Sequence, residues 1–468
     1  MIPLLLARVA ELTGGVLHGD VLDGDRARAL VVDGPVVTDS RECLAGSLYV
    51  ARVGEHADGH DFVPAAAARG AVAALTARPV DGLPCVVVPD TQLAFGRLAR
   101  GVLAAAPGVR VVGITGSSGK TSTKDLLAAV LATAGPTVAP EGSYNGEIGV
   151  PLTVCRITPA TRFLIVEMGA RGVGHVAYLT EIAPPQVGIV LNVGTAHLGE
   201  FGSRENIARA KAELPQALPP TGLAILNADD PLVAEMAEGL AARVCLFGTS
   251  QRAQVRAEGV VLDEAGRAAY TLVAPQGRAP VRLALVGAHH VANSLAVAAA
   301  ALELGLEPDA IAAALGRARP VSRWRMEVTR RADGVVVVND AYNANPESMR
   351  AALDALAAMA TSGRRWAVVG EMLELGTASA AAHAEIGRYA AQLGIDRIVA
   401  VGEGARAIGA PEWVADTGAA FDLLRVELVP GDVVLFKSSR DSGLRWLGDR
   451  VAGRGETPGE PVGGEAAS

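Results

Sequence analysis

Apolar positions along the chain alternate between two rhythms: short β-branched runs, and longer Ala- and Leu-rich stretches punctuated by polar residues at helical intervals. Up to about residue 84 the alternation is tight, as in Leu48-Tyr49-Val50-Ala51 followed by a helical pattern over 62–70, and predicts a small α/β domain. A helical pattern over 93–105 then leads into an apolar run over 109–115 that ends in glycines and opens a second helix over 120–133. Strand, Gly-rich turn and helix begin a parallel-sheet domain, and buried-strand patterns at 163–167, 187–192 and 223–227 extend it into a doubly wound or mostly parallel central sheet.

The helical period disappears over 252–285, which predicts hairpin strands turning at Glu264-Ala265-Gly266 and Pro275-Gln276-Gly277. Ala-rich helices follow, ending near Pro320, and strands recur at 334–339, 366–370, 397–402 and 432–436, the pattern of a second, Rossmann-like α/β unit. The expected fold class is therefore α/β in three domains, over 1–84, 85–319 and 320–452, with a Gly-, Pro- and Glu-rich disordered tail over 453–468.

Composition narrows what such a chain does. Half of the 468 residues are hydrophobic, which excludes a disordered or fibrous protein. Lys+Arg 42 against Asp+Glu 50 leaves a net charge of −8, and no basic stripe carries interleaved aromatics, so a nucleic-acid partner is not expected. The four cysteines form no CxxC pair, favouring a reducing compartment over a disulfide framework or zinc knuckle. No secretory signal is read at the start, and no apolar stretch reaches the roughly 20 residues that a membrane helix needs. A cytoplasmic protein without membrane insertion is expected, and any anionic ligand must be held by local groups.

Such groups stand at the first strand–helix junction. Thr115, Gly116, Ser117, Ser118, Gly119, Lys120, Thr121 and Ser122 place glycines and small hydroxyls where backbone N–H groups can curl around phosphate oxygens at a helix N-terminus. Lys120 would reach the β- and γ-phosphates and Thr121 would ligate Mg²⁺. Ile114 stands where the generic spacing has its first glycine. An ATP or GTP site is favoured over an ordinary turn. Glu167 ends the apolar run Phe163-Leu164-Ile165-Val166, at the carboxyl end of a parallel strand, where a second Mg²⁺ ligand belongs. Asn192 and His197 follow the next strand, and a lone His is more often structural than a ligand. Lys211 lies between apolar positions of a helix; alone it reads as a snorkelling lysine, although burial would allow its amine to lose a proton and form a carbamate.

Taken together, this loop, Glu167, His197 and Lys211 resemble the ATP-dependent Mur ligases of peptidoglycan assembly, and the resemblance extends from about Thr38 to Leu444. Further matches are Thr38-Asp39-Ser40-Arg41, Asp58-Gly59-His60-Asp61-Phe62, the run from Asn145 to Thr153, Glu167-Met168-Gly169-Ala170, Asp340-Ala341-Tyr342-Asn343-Ala344-Asn345-Pro346 and the run from Gly370 to Gly376. Within the family, the Tyr-Asn-Ala-Asn-Pro run is similar to that of the members that add D-Ala-D-Ala to UDP-MurNAc-tripeptide. The resemblance implies an acyl-phosphate amide ligase with those two small-molecule substrates, working as a monomer. It implies ATP phosphates on the loop, one Mg²⁺ on Thr121 and Glu167, and a second served by His197 and a carbamylated Lys211. It further implies UDP contacts from Ser40 and Arg41, a substrate contact from Asn145, adenine contact from Asn293, γ-phosphate contact from Arg325, and nucleotide contacts from Asp340, Asn343 and Asn345. Departures are His290 and Gly146, each where the family commonly has Asn, and Ser438 in Lys437-Ser438-Ser439-Arg440, where Gly is usual. The alternatives are another Mur-type or folylpolyglutamate-type ligase, or a nucleotide switch that ligates nothing; the Asp340–Pro346 and Asp39–Arg41 segments argue against the first two.

Overall fold

The computed structural model describes residues 1–18, 24–54, 56–196 and 198–454. His197 and residues 455–468, which make up most of the expected tail, lie outside them. Besides a two-stranded antiparallel ribbon of Leu4–Leu5 and Val31–Val32, three large sheets carry the described residues. The first has five strands, in the order Val16–His18, Cys85–Val87, Ala71–Thr76, Ser47–Val50 and Val36–Val37; its pairings are parallel except the first. Cys85–Val87 thus belongs to this sheet and does not open the second unit as the 84/85 boundary expected, because an apolar run carries no mark of the sheet it joins. Helix Thr91–Ala104 follows, its N-terminus capped by Asp90, whose carboxylate accepts the N–H groups of Gln92 and Leu93.

The second sheet has nine strands. Thr137–Val138, Phe163–Glu167, Arg110–Thr115, Val187–Val190, Leu223–Asn227, Arg243–Gly248 and Val255–Leu262 lie side by side and parallel, and Arg267–Ala274 and Gly277–Val286 extend them antiparallel. The expected hairpins are therefore continuous with the main sheet. Its central strands are buried over their whole length, which accounts for their unbroken Val, Ile and Leu. Helix His290–Glu303 packs between them and helix Lys120–Leu131 and is buried on almost every side; Ala296, Ala298, Ala299, Ala300 and Ala301 supply much of its contact surface.

The third sheet runs Glu327–Arg330, Val336–Asn339, Val433–Lys437, Arg365–Val369, Arg397–Val401 and Glu412–Val414, parallel except at its first pairing. A polar clamp holds the segment leading into it. Ser322 donates its N–H to Asp125 (3.0 Å), while buried Lys124 donates to Ser322 Oγ (3.2 Å) and to the Pro140 carbonyl (3.0 Å). Beyond the clamp Trp324 and Met326 both adopt positive φ, 57° and 50°, turning Arg325 between them. Among the described residues no helix is long and apolar enough to cross a membrane.

Leu295 is fully buried on helix His290–Glu303. Leu295→Ala is expected to destabilise the protein by about 2–5 kcal/mol, read from denaturant unfolding.

Candidate active site

Strand Arg110–Thr115 lies between Phe163–Glu167 and Val187–Val190, with Ile114 opposite Glu167 and Thr115 opposite Val190, so the loop after it emerges in the crevice at the carboxyl ends of three parallel strands. The flanking strands hold that loop. Thr115 Oγ1 donates to the Met168 carbonyl (2.8 Å), and Ser117 and Ser118 donate their N–H groups to the carbonyl and side chain of Asn192 (3.1 and 2.9 Å). Gly119 then turns into helix Lys120–Leu131 at φ +81°, and a Cβ there would lie 2.7 Å from Asn293 Oδ1. Only glycine meets both demands.

Past the loop the polar groups converge. Thr121 Oγ1 donates to Glu167 Oε2 (3.0 Å), Asn145 Nδ2 donates to Glu167 Oε1 (2.9 Å), and Ser143 Oγ stands 3.0 Å from Thr121 Oγ1. From the other side of the crevice Arg325 Nη2 donates to Ser143 Oγ (3.0 Å) and approaches Thr121 Oγ1 (3.4 Å). The Arg325 guanidinium lies over the Tyr342 ring, 4.4 Å from its centroid, and its Nε is buried without a hydrogen-bond partner among the described residues.

Lys120 Nζ donates to the Gly116 carbonyl (2.8 Å). Burial holds its pKa below the ordinary lysine value, opposed by the nearby Glu167 charge. Lys211, buried on helix Arg204–Gln216, is pushed down to about 7, chiefly by burial and further by the Lys120 charge. A substantial fraction of its amine is therefore neutral at physiological pH, the form that adds carbon dioxide. Among the described residues no group of three or more His, Cys, Asp or Glu side chains could hold a metal. One carboxylate, one hydroxyl and phosphate oxygens nevertheless suit a small hard cation that keeps several waters, and Thr121 and Glu167 supply the first two.

The other sequence-predicted residues divide. Asn293 sits against Gly119, with its Nδ2 3.5 Å from His290 Nδ1. Asn345 caps helix Pro346–Ala358 and donates from Nδ2 to the Ser117 carbonyl (3.3 Å), bringing the third sheet to the loop. Asp340 and Asn343 are tied to neighbouring segments: buried Lys437 donates to Asp340 Oδ2 (2.6 Å) and to the Asn343 carbonyl (3.0 Å), while Asp340 Oδ1 accepts the Met326 N–H (3.0 Å). Ser40 and Arg41 lie on the first unit, where Arg41 makes a bidentate pair with Asp39. The sequence reading missed Ser143, Lys124 and Glu347. Lys124 had left a signal, a cation one turn after Lys120 on an otherwise apolar face.

A phosphate-binding loop beside a hydroxyl–carboxylate pair, facing an arginine delivered by another α/β unit, defines an enzyme of nucleotide-driven group transfer. The chain belongs to the Mur ligase family: residues 35–93 match its catalytic domain, 114–301 its middle domain and 324–440 its glutamate ligase domain. It is 48% identical to the UDP-N-acetylmuramoyl-tripeptide--D-alanyl-D-alanine ligase of Mycobacterium bovis, covering 96% of this chain and 98% of the relative. The enzyme of that name from Escherichia coli is 38% identical over 91% and 95% of the two chains. Among solved structures, MurF from Acinetobacter baumannii superposes with a TM-score of 0.86 at 33% identity, covering 96% and 99%. MurF from Thermotoga maritima, solved with ADP, gives 0.80 at 30% identity, covering 90% and 98%.

Two outcomes follow from this geometry. Gly119→Ala is expected to abolish ADP binding by calorimetry while the circular dichroism spectrum stays that of the wild type. Lys211→Met is expected to raise Tm at pH 7 by a few degrees in buffer freed of carbon dioxide. The buried lysine binds its proton less well folded than unfolded; its stability penalty is full below about pH 7 and fades as pH rises toward the ordinary lysine value, so the gain should shrink between pH 7 and 10.

Proposed function

We propose that the chain is a cytoplasmic, ATP-dependent amide ligase that joins D-alanyl-D-alanine to UDP-MurNAc-tripeptide, giving the pentapeptide precursor with ADP and phosphate. The observation that carries this reading is the convergence of Thr121, Glu167 and Arg325 beside Lys120, supported by near full-length similarity to ligases of that name.

A carboxylate is a poor acyl donor because oxide is a poor leaving group. In the proposed sequence, the tripeptide's terminal carboxylate attacks the γ-phosphorus of ATP, ADP departs, and an acyl phosphate remains. The amine of D-Ala-D-Ala then attacks the acyl carbon, the tetrahedral adduct expels phosphate, and the amine's surplus proton is released. The loop N–H groups between Gly116 and Thr121 hold phosphate oxygens. Lys120 exchanges its Gly116 carbonyl for phosphate, and Arg325, with one buried nitrogen unpaired, neutralises charge on the transferring group. Thr121 and Glu167 would hold one Mg²⁺; His197 and Lys211, the latter as a carbamate offering oxygen in place of a cation, would serve a second. When bound, these ions draw charge from the phosphoryl oxygens. Ser40, Arg41 and Asn145 contact the UDP-precursor, and Asn293 the adenine; Asn345 touches the loop that carries the phosphates. Asp340 and Asn343 act by holding the turn that presents Arg325 and Asn345. The third unit keeps water from the acyl phosphate by closing over the second.

The test is phosphate release and product mass with ATP and Mg²⁺, adding UDP-MurNAc-tripeptide and D-Ala-D-Ala singly and together. Release dependent on both, with a UDP-linked pentapeptide formed and Lys120→Ala folded but inactive, is the expected result. Release without amide formation would overturn the ligase.

A further inference from the structure

Glu347 has no part in the chemistry above, yet both its carboxylate oxygens reach from the third unit to the loop beside the crevice. It is the second residue of helix Pro346–Ala358. Its Oε1 accepts the N–H and the hydroxyl of Thr195 (2.9 and 3.0 Å), and Oε2 lies 3.2 Å from the same hydroxyl. Thr195 belongs to the second unit, in the loop after strand Val187–Val190. That loop also holds the phosphate loop: Asn192 accepts from Ser118, and Gly194 donates its N–H to Ser117 Oγ (2.9 Å). The approach leaves no spare room, for a Cβ on Gly194 would fall 2.7–3.0 Å from the Glu347 carboxylate atoms. Two residues earlier, Asn345 donates to the Ser117 carbonyl. One helical turn of the third unit thus holds the phosphate loop directly and, through Thr195, the loop beneath it.

We propose that Glu347 is a positioning residue: acting through Thr195, its carboxylate latches the third unit to the second and fixes residues 192–195 in the shape that phosphoryl transfer requires. An acid in the first turn of a helix also favours that helix electrostatically, whatever it touches. The test must separate the two roles. Its kinetic arm rests on the ligase reading; its conformational arm does not.

The experiment uses the full chain and the variants Glu347→Ala, Glu347→Gln, Thr195→Val and the Glu347→Ala/Thr195→Val double. Small-angle scattering with Mg²⁺ and a non-hydrolysable ATP analogue should give Glu347→Ala a larger radius of gyration than the wild type, at unchanged circular dichroism. In steady state its kcat should fall about ten- to hundredfold, the worth of a charge-assisted hydrogen-bonded pair, with KM for ATP nearly unchanged. Glu347→Gln, whose amide oxygen can still accept both Thr195 bonds, should recover most of kcat, and the double variant should be no worse than Glu347→Ala alone. Unchanged scattering, kcat within about twofold of wild type, or additive losses in the double variant would each overturn the latch. If the wild type forms no amide, the ligase reading fails while the scattering comparison still decides the latch.

Discussion

The rest of the structure depends on an imbalance of charge in one crevice. Lys120 feels both the Arg325 charge and the Glu167 carboxylate, and Lys211 in turn feels Lys120, in a chain whose net charge is −8. Burial alone would drive such amines toward neutrality, and it lowers both lysines. Such a site is least favourable empty and becomes balanced when polyphosphate enters, so binding energy is available there without a basic surface that would attract other polyanions.

Two α/β units are needed because neither alone completes this arrangement. The second unit supplies the loop, Thr121 and Glu167; the third supplies Arg325 and Asn345. Between them runs a segment clamped at Ser322 by Lys124 and Asp125 and turned by two positive-φ residues, a conformation that costs non-glycine residues about 1–3 kcal/mol each when held. Asp340 offsets part of that cost by accepting the Met326 N–H while it is itself held by buried Lys437. The Arg325 side chain is thereby aimed by its own backbone and by a turn from the next strand.

Much of this was legible in the chain. The strands at 163–167 and 223–227 stand out as apolar runs with sharp polar ends, and the loop from Thr115 to Thr121 declares itself by glycines and hydroxyls. The strand expected over 187–192 stops at Val190, because Asn192 turns out of the ladder to hold Ser118. Periodicity could not assign Cys85–Val87 to its sheet, since an apolar strand looks the same in either. Ser143, Lys124 and Glu347 escaped for a different reason. Each matters through a partner distant in the sequence, and spacing reports only on neighbours.

Helix His290–Glu303 carries Asn293 against the phosphate loop and is packed largely with alanine methyls. Alanine has no rotamers with which to absorb a displacement, so this helix behaves as a stiff rod in a core without slack. A strain introduced at its far end, where Glu303 pairs with Arg243, has little to dissipate it before it reaches Asn293. Remote volume changes there should therefore be felt as altered nucleotide fit, which makes this stretch a poor place for the sequence to drift and a sensitive one for small ligands to perturb.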